Sequence, residues 1–144
     1  MKVLVVVDAQ NDFITGSLGS IEAQRVLPNI VKKLEEYDDD LVIGTLDSHN
    51  NRYLQTLEGK YLPIEHCIIG TEGWHYEKSI SSIISSKYMG YPLFKDTFGS
   101  VDLPYVIKSQ VINLKSIELV GYVLDICVIS NALMLKAHFP EVPI

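Results

Sequence analysis

The chain has 144 residues, 47% of them apolar and 21% charged, which is enough for one domain with a real core and too little for two. Its formal net charge of −6 argues against a nucleic-acid partner, because phosphates require a clustered basic face. No apolar run approaches the roughly 20 residues of a bilayer-spanning helix, and Val3–Val7 is too short for a secretory apolar region and is closed by Asp8. No membrane association is therefore expected, and the expected compartment is the cytoplasm, where Cys67 and Cys127 stay reduced.

Lys2–Val7 reads as a strand buried on both faces. Ala23–Tyr37 reads as a helix. Val26, Leu27, Ile30, Val31 and Leu34 form its apolar stripe, and Pro28 is tolerable only near its start. Leu41–Leu46 reads as a second strand. From Ser48 to Gly73 no period is sustained, and so long an irregular segment in a compact domain is functional or mobile. Ser79–Ser86 reads as a short helix and Tyr91–Lys95 as a short strand. Leu103–Gln110 reads as a helix with Pro104 in its first turn, and Ile117–Gly121 as a strand. Val128–His138 closes the chain as a helix, with Ile129, Ala132, Leu133 and Leu135 toward the core. There is no internal repeat, low-complexity tract or linker, so residues 1–144 are read as a single domain.

Strands alternating with helices predict a three-layer α/β/α domain around a doubly wound, mainly parallel sheet. Ligands of such sheets bind beyond the carboxyl ends of the strands. Asp8 ends the first strand, Asp47 the second and Lys95 the third, and Cys127 follows the fourth. Four reactive side chains therefore leave the sheet at one edge. Cys127 lies between a strand and a helix, where backbone N–H groups favour the thiolate; a nearby lysine lowers a thiol pKa further and an aspartate accepts its proton. Singly, each has a plainer reading. Cys127 is then a small buried hydrophobe, Asp8 a turn cap, and Lys95, like its neighbour Asp96, a solvated charge. Cys67, followed by Ile68 and Ile69, keeps that plainer reading. Together, Asp8, Lys95 and Cys127 suggest an acid/base, a cationic partner and a nucleophile.

A second group lies in TLDSHNN and EHC. Asp47 and His49, two residues apart after a strand, and His66 across the irregular segment suit Zn²⁺ or another divalent transition metal with positions left open for water or substrate. Histidines in loops are also common as surface polar groups. His75 and His138 have no partner pattern. No G-x-G-x-x-G or P-loop is present, which argues against a flavodoxin-like nucleotide binder, and no organic cofactor is expected.

DAQNDF at 8–13, TLDSH at 45–49, HCIIGTEGW at 66–74, FKDTFGS at 94–100 and GYVLDICV at 121–128 resemble the isochorismatase-like cysteine hydrolases, the superfamily that includes nicotinamidases. The resemblance runs in order over essentially the whole chain. It implies the Rossmann-like isochorismatase fold and a catalytic triad of Asp8, Lys95 and Cys127. It further implies a non-proline cis peptide near Tyr122–Val123, an oxyanion hole from the N–H groups of Val123 and Cys127, and Phe13 lining a pocket. The implied activity is hydrolysis of a small amide, nicotinamide-like, releasing ammonia through a thioester, in a homo-oligomer. An isochorismatase-type vinyl ether hydrolase and a non-catalytic binding or assembly module are the alternatives. The chain also departs from its relatives. Nicotinamidases carry a further histidine past the D-x-H pair, where Asn50, Asn51, Arg52 and Tyr53 stand here. Asp47, His49 and His66 then form a three-ligand remnant, with Glu58 as a substitute donor. Leu62-Pro63-Ile64 replaces the tryptophan usual near the nicotinamide ring, and Trp74 is the only tryptophan. Relatives continue past HFPEVPI with another strand and a helix, so the resemblance implies a sheet lacking these at Ile144, its exposed edge favouring self-association.

Overall fold

A computed structural model describes residues 1–37, 41–87 and 92–144. β1 (Lys2–Val7) lies inside the sheet because Val3–Val7 has no polar face to leave in water, and all five residues are fully buried. On one side it pairs in parallel with β2 (Leu41–Asp47), Val3 opposite Leu41 through Val7 opposite Thr45. On the other it pairs in parallel with β4 (Ser116–Gly121), Lys2 opposite Ser116 through Val7 opposite Gly121. β3 (Leu93–Lys95) adds to β2 with Asp47 opposite Lys95, giving an all-parallel sheet of order β3-β2-β1-β4.

The chain runs outward from β1 to β3 and then returns to the far side of β1. Right-handed crossovers therefore place α2 (Ile21–Glu35) and α4 (Lys78–Lys87) on one face, and α5 (Leu103–Gln110) and α6 (Ile129–His138) on the other. α2 packs on α4, and α5 on α6, completing three layers. The reversal of direction falls between β1 and β4, the position at which open α/β sheets form their ligand crevice. Among the described residues no helix is long and apolar enough to cross a membrane.

Several elements differ from the sequence reading, each for a local reason. α2 starts at Ile21 because the Ser20 hydroxyl accepts the Ala23 N–H at 3.0 Å. Pro28 thus sits in the helix interior. It is exposed, so water meets the carbonyl that its missing N–H leaves unpaired. The buried stripe is narrower than the periodicity suggests: Ile30 and Leu34 are buried, whereas Val26 is 44% exposed. The irregular segment contains a short helix, α3 (Leu57–Tyr61), capped by the Thr56 hydroxyl, which accepts the Gly59 N–H at 3.0 Å. The third strand is shorter than expected, with Tyr91 outside the described residues. Val128 belongs to a π-helical turn, Leu124–Val128, that precedes α6. In α6, Leu135 is buried and Ala132 half-buried, but Ile129 and Leu133 are 44% and 63% exposed. The polar Asn131 takes the remaining core position. Apolar and polar residues are mixed around α6, so spacing alone does not show which way it faces.

Candidate active site

Asp8 leaves β1 with a left-handed φ of +47°, which turns the chain out of the sheet while the side chain stays fully buried. Thr45 on β2 holds it. The Asp8 N–H donates to the Thr45 carbonyl and hydroxyl oxygens, each at 3.2 Å, and the hydroxyl donates to Asp8 Oδ1 at 2.7 Å. Lys95, at the end of β3, places Nζ 2.6 Å from Asp8 Oδ2, 3.4 Å from Asp47 Oδ1 and 3.6 Å from Cys127 Sγ. It also donates to the Thr97 carbonyl at 3.0 Å.

Cys127 arrives from the other side of β1. Gly121 ends β4 at φ +131°, and a Cβ there would stand 1.9 Å from the Val7 carbonyl oxygen, so only glycine lets the chain close onto β1. The Tyr122 N–H then donates to that same oxygen at 2.9 Å. The Tyr122–Val123 peptide is cis, where the resemblance places it. The Val123 carbonyl accepts the N–H groups of Ile126 and Val128, at 3.2 and 3.1 Å, which wraps the turn that carries Cys127. The cysteine is 4% exposed.

This burial reverses one expectation. Burial, reinforced by the Asp8 carboxylate, pushes the Cys127 thiol above its ordinary range, and Lys95 offsets this only in part. Burial likewise raises Asp8 against the pull of Lys95. Burial disfavours the Lys95 ammonium, but the charges of Asp8, Asp47 and Cys127 together lift it above its usual range. The resting site therefore holds a firmly charged lysine beside two groups that compete for one proton.

Asp47, His49 and His66 also converge, and all three are buried. Asp47 Oδ2 lies 3.0 Å from His49 Nε2 and 3.2 Å from His66 Nε2. Burial disfavours the Asp47 carboxylate, but hydrogen bonds from both histidines and the Lys95 charge hold it well below the usual range. His66 Nδ1 donates to the Ile64 carbonyl at 2.8 Å, since a carbonyl can only accept. In neutral His66, Nε2 would then aim a lone pair at the Asp47 carboxylate, so the arrangement asks for a positive charge there. A proton supplies one answer: burial lowers the His66 pKa, but Asp47 and the Ile64 carbonyl raise it more. A metal ion supplies the other. Glu58 Oε1 stands 3.8 Å from each histidine Nε2. The ligand atoms of Asp47, His49 and His66 lie within 4.8 Å of one another, and one carboxylate with two imidazoles is a donor set that suits a divalent transition metal. Tyr53, in the window where relatives carry histidine, packs its ring 4.7 Å from His49 and 4.9 Å from His66. Burial and then Glu58 push its phenol up to about 12.

A cavity of about 960 Å³ opens beside His49, Tyr53 and Glu58 on one wall and Phe98 and Ile126, the neighbour of Cys127, on another. Phe13 is buried edge-on to the His66 ring, 5.6 Å away, and does not line this cavity. His75 packs on Trp74, and His138 donates to the Met134 carbonyl at 3.0 Å. Cys67 is buried and free, its thiol raised by burial and by Asp47 and Asp12.

Three residues escaped the sequence reading. Gln10 is fully buried and donates to the Asp47 carbonyl at 2.8 Å and the Trp74 carbonyl at 2.7 Å, while its Oε1 accepts the Asp47 N–H at 2.8 Å. One side chain thus clamps the Asp47 backbone on both sides. The Asp12 carboxylate accepts the Cys67 N–H at 2.8 Å, tying down the residue beside His66. Asn131 is the third. The usable signals were a polar run directly after a buried strand and a lone amide in the helix after Cys127.

The isochorismatase domain family model matches residues 2–140. No curated protein sequence matches the chain. The chain is similar in structure to the pyrazinamidase/nicotinamidase of Streptococcus mutans, with 23% identity, 95% of this chain and 80% of that one covered, and a TM-score of 0.84. It is similar to N-carbamoylsarcosine amidase from Thermoplasma acidophilum, with 21% identity, coverage of 98% and 78%, and a TM-score of 0.76. The pyrazinamidase of Pyrococcus horikoshii, solved in complex with zinc, shares 20% identity, with coverage of 95% and 79% and a TM-score of 0.72. At these identities the likeness carries the fold, and the family model carries the membership: the chain belongs to the isochorismatase domain family.

Proposed function

We propose that this chain is a cysteine hydrolase that cleaves the C–N bond of a small, nicotinamide-like amide and releases ammonia. The observation that carries the reading is the convergence on Lys95, whose Nζ is 2.6 Å from Asp8 and 3.6 Å from Cys127 Sγ at a closed end of the sheet. A merely structural lysine has no need of a thiol.

The pKa directions suit activation by a general base. Asp8 Oδ1 is taken by the Thr45 hydroxyl, and Oδ2, ion-paired with Lys95 at 2.6 Å, is the oxygen that takes the thiol proton. As Asp8 accepts that proton, sulfur bonds to the amide carbon and the carbonyl becomes an oxyanion, which the N–H groups of Val123 and Cys127 receive. Collapse breaks the C–N bond, and the proton on Asp8 leaves with ammonia. Water then attacks the thioester while Asp8 takes a proton from it, and the carbon–sulfur bond breaks to restore the thiol. Lys95 stays charged throughout and balances whichever partner is anionic. Asp47, His49 and His66 would hold a divalent metal, which would supply Lewis-acid polarisation when bound. The same reading makes the protein a cytoplasmic homo-oligomer, and light scattering on purified protein tests the assembly.

Ammonia release across a panel of small amides tests the function, with an isochorismate-type vinyl ether in parallel. Amide turnover that disappears in Cys127→Ala, with an unchanged circular dichroism spectrum, supports it. Turnover of the vinyl ether alone, activity surviving Cys127→Ala, or substrate binding without any turnover overturns it.

A further inference from the structure

Asn131 is fully buried in α6, and its amide reaches three segments of the chain. Nδ2 donates to the Cys127 carbonyl at 2.8 Å and to the Phe98 carbonyl at 3.4 Å, and Oδ1 accepts the Ser100 N–H at 2.9 Å. A buried helical asparagine that only needed its own polar groups satisfied would bond within its helix, to the carbonyl four residues back. This one also spans 31 and 33 residues of sequence to reach the loop that follows Lys95. That loop is the one whose Thr97 carbonyl receives the Lys95 ammonium at 3.0 Å. Its Gly99 lies flat on α6, where a Cβ would stand 2.5 Å from Met134 Sδ. Among the described residues, every hydrogen bond joining residues 97–100 to the Cys127 turn and α6 runs through the Asn131 amide.

We infer that Asn131 is a positioning residue for the reaction, fixing the distance between the Lys95 ammonium and the Cys127 sulfur by bolting the loop after β3 to the turn after β4. This rests on the reading of Cys127 as the nucleophile. Lys95 and Cys127 follow the two outermost strands, β3 and β4, with β2 and β1 between them. Backbone pairing sets each strand end, but the side chains meet beyond the last ladder bonds. A tie outside the sheet is therefore needed to keep a 3.6 Å contact in register. Misplacing a reacting group by 1 Å costs roughly 100-fold in rate.

The test is a double-mutant cycle read on the thiol itself. The pH profile of Cys127 alkylation by iodoacetamide, resolved by mass spectrometry from any labelling of Cys67, is measured in the wild type, Asn131→Ala, Lys95→Ala and the double variant. Removing Lys95 moves the profile to higher pH by about 1–3 units, because a cation within 4–6 Å favours the thiolate. Asn131→Ala is expected to move it the same way by a part of that amount. In the Lys95→Ala background it adds no further shift, since the residue acts through the lysine. On an amide substrate, kcat falls about tenfold or more with KM nearly constant. Should Asn131→Ala not fold, Asn131→Ser is read in its place. Its hydroxyl keeps the bond to the Cys127 carbonyl but is too short to hold Phe98 and Ser100. An unshifted profile, or a shift of equal size with and without Lys95, overturns the inference. The alkylation profile needs no substrate, so a failure of the amidase reading would show separately, as absent turnover beside an intact cycle.

Discussion

The two halves of the site occupy one edge of one sheet but are built differently. Asp8, Lys95 and Cys127 come from the ends of β1 and β3 and from the turn after β4, within a few residues of ladder hydrogen bonds. The histidine half has one strand residue, Asp47, while His49 and His66 are held by the irregular segment. Parallel bridging pairs His49 with Ile68, the His49 N–H donates to the Cys67 carbonyl at 3.0 Å, and Asp12 anchors the Cys67 N–H. One half depends on the sheet and the other on side chains that pin a loop. Asp47 is shared between them, Oδ1 toward Lys95 and Oδ2 toward the histidines. The comparison teaches that the halves are separable in chemistry and joined through one carboxylate.

The largest expected effect separates them. Cys127→Ala should lower amide turnover by about 10⁴-fold or more while leaving bound metal, read by elemental analysis, at its wild-type level. His66→Ala should do the reverse, stripping the metal while the iodoacetamide rate at Cys127 stays essentially unchanged. Loss of thiol reactivity in that variant would dissolve the distinction between the halves.

Asp47→Asn strikes both. It should abolish metal binding and cost about 3 kcal/mol in urea denaturation, the low end for a broken buried pair because Asp8 remains beside Lys95. Gln10→Leu keeps the volume but leaves the Asp47 N–H and carbonyl unpaired. An unfolding cost of about 1–3 kcal/mol is expected. Metal affinity should fall about 10- to 100-fold, as for other residues that orient a ligand. Alkylation of Cys127 would stay near the wild-type rate, and a large change there would place Gln10 in the other half.

The smallest effect is in acid. Asp47 is held below its ordinary 3.8, so the folded state binds fewer protons there than the unfolded chain. Its contribution is present above 3.8 and is lost as pH falls through the lower folded value. Asp8, raised by burial, has the opposite sign, and its protonation favours the fold. The melting-temperature gap between the wild type and Asp47→Asn should therefore narrow as pH drops from 5 toward 2. A constant gap would mean that Asp47 acts through shape alone.

How far the sequence carries depends on the range of the interaction. Val3–Val7 had no face to expose, and this alone predicted a central strand and put Asp8 at its exit. Alternating elements then brought Lys95 and Cys127 to the same edge, and Asp47, His49 and His66 were readable as donors of the right type near it. The roles of Gln10 and Asn131 were not readable, because an amide looks the same in a list whether it meets water or backbone groups as far as 31–64 residues away. The resemblance to relatives marked Tyr122–Val123, which no propensity does. The exposed faces of Val26, Ile129 and Leu133 show the converse: apolar residues can satisfy a helical period without entering the core.

The divided carboxylate of Asp47 has a consequence for anyone who would retune this protein. On the proposed metal-binding reading, exchanging the histidine pocket for one that prefers another ion would redistribute the charge felt by the lysine on the opposite oxygen. Selection for a new ion and selection for catalytic speed thus pull on a single side chain, and improvement in one trait is expected to need compensation in the other.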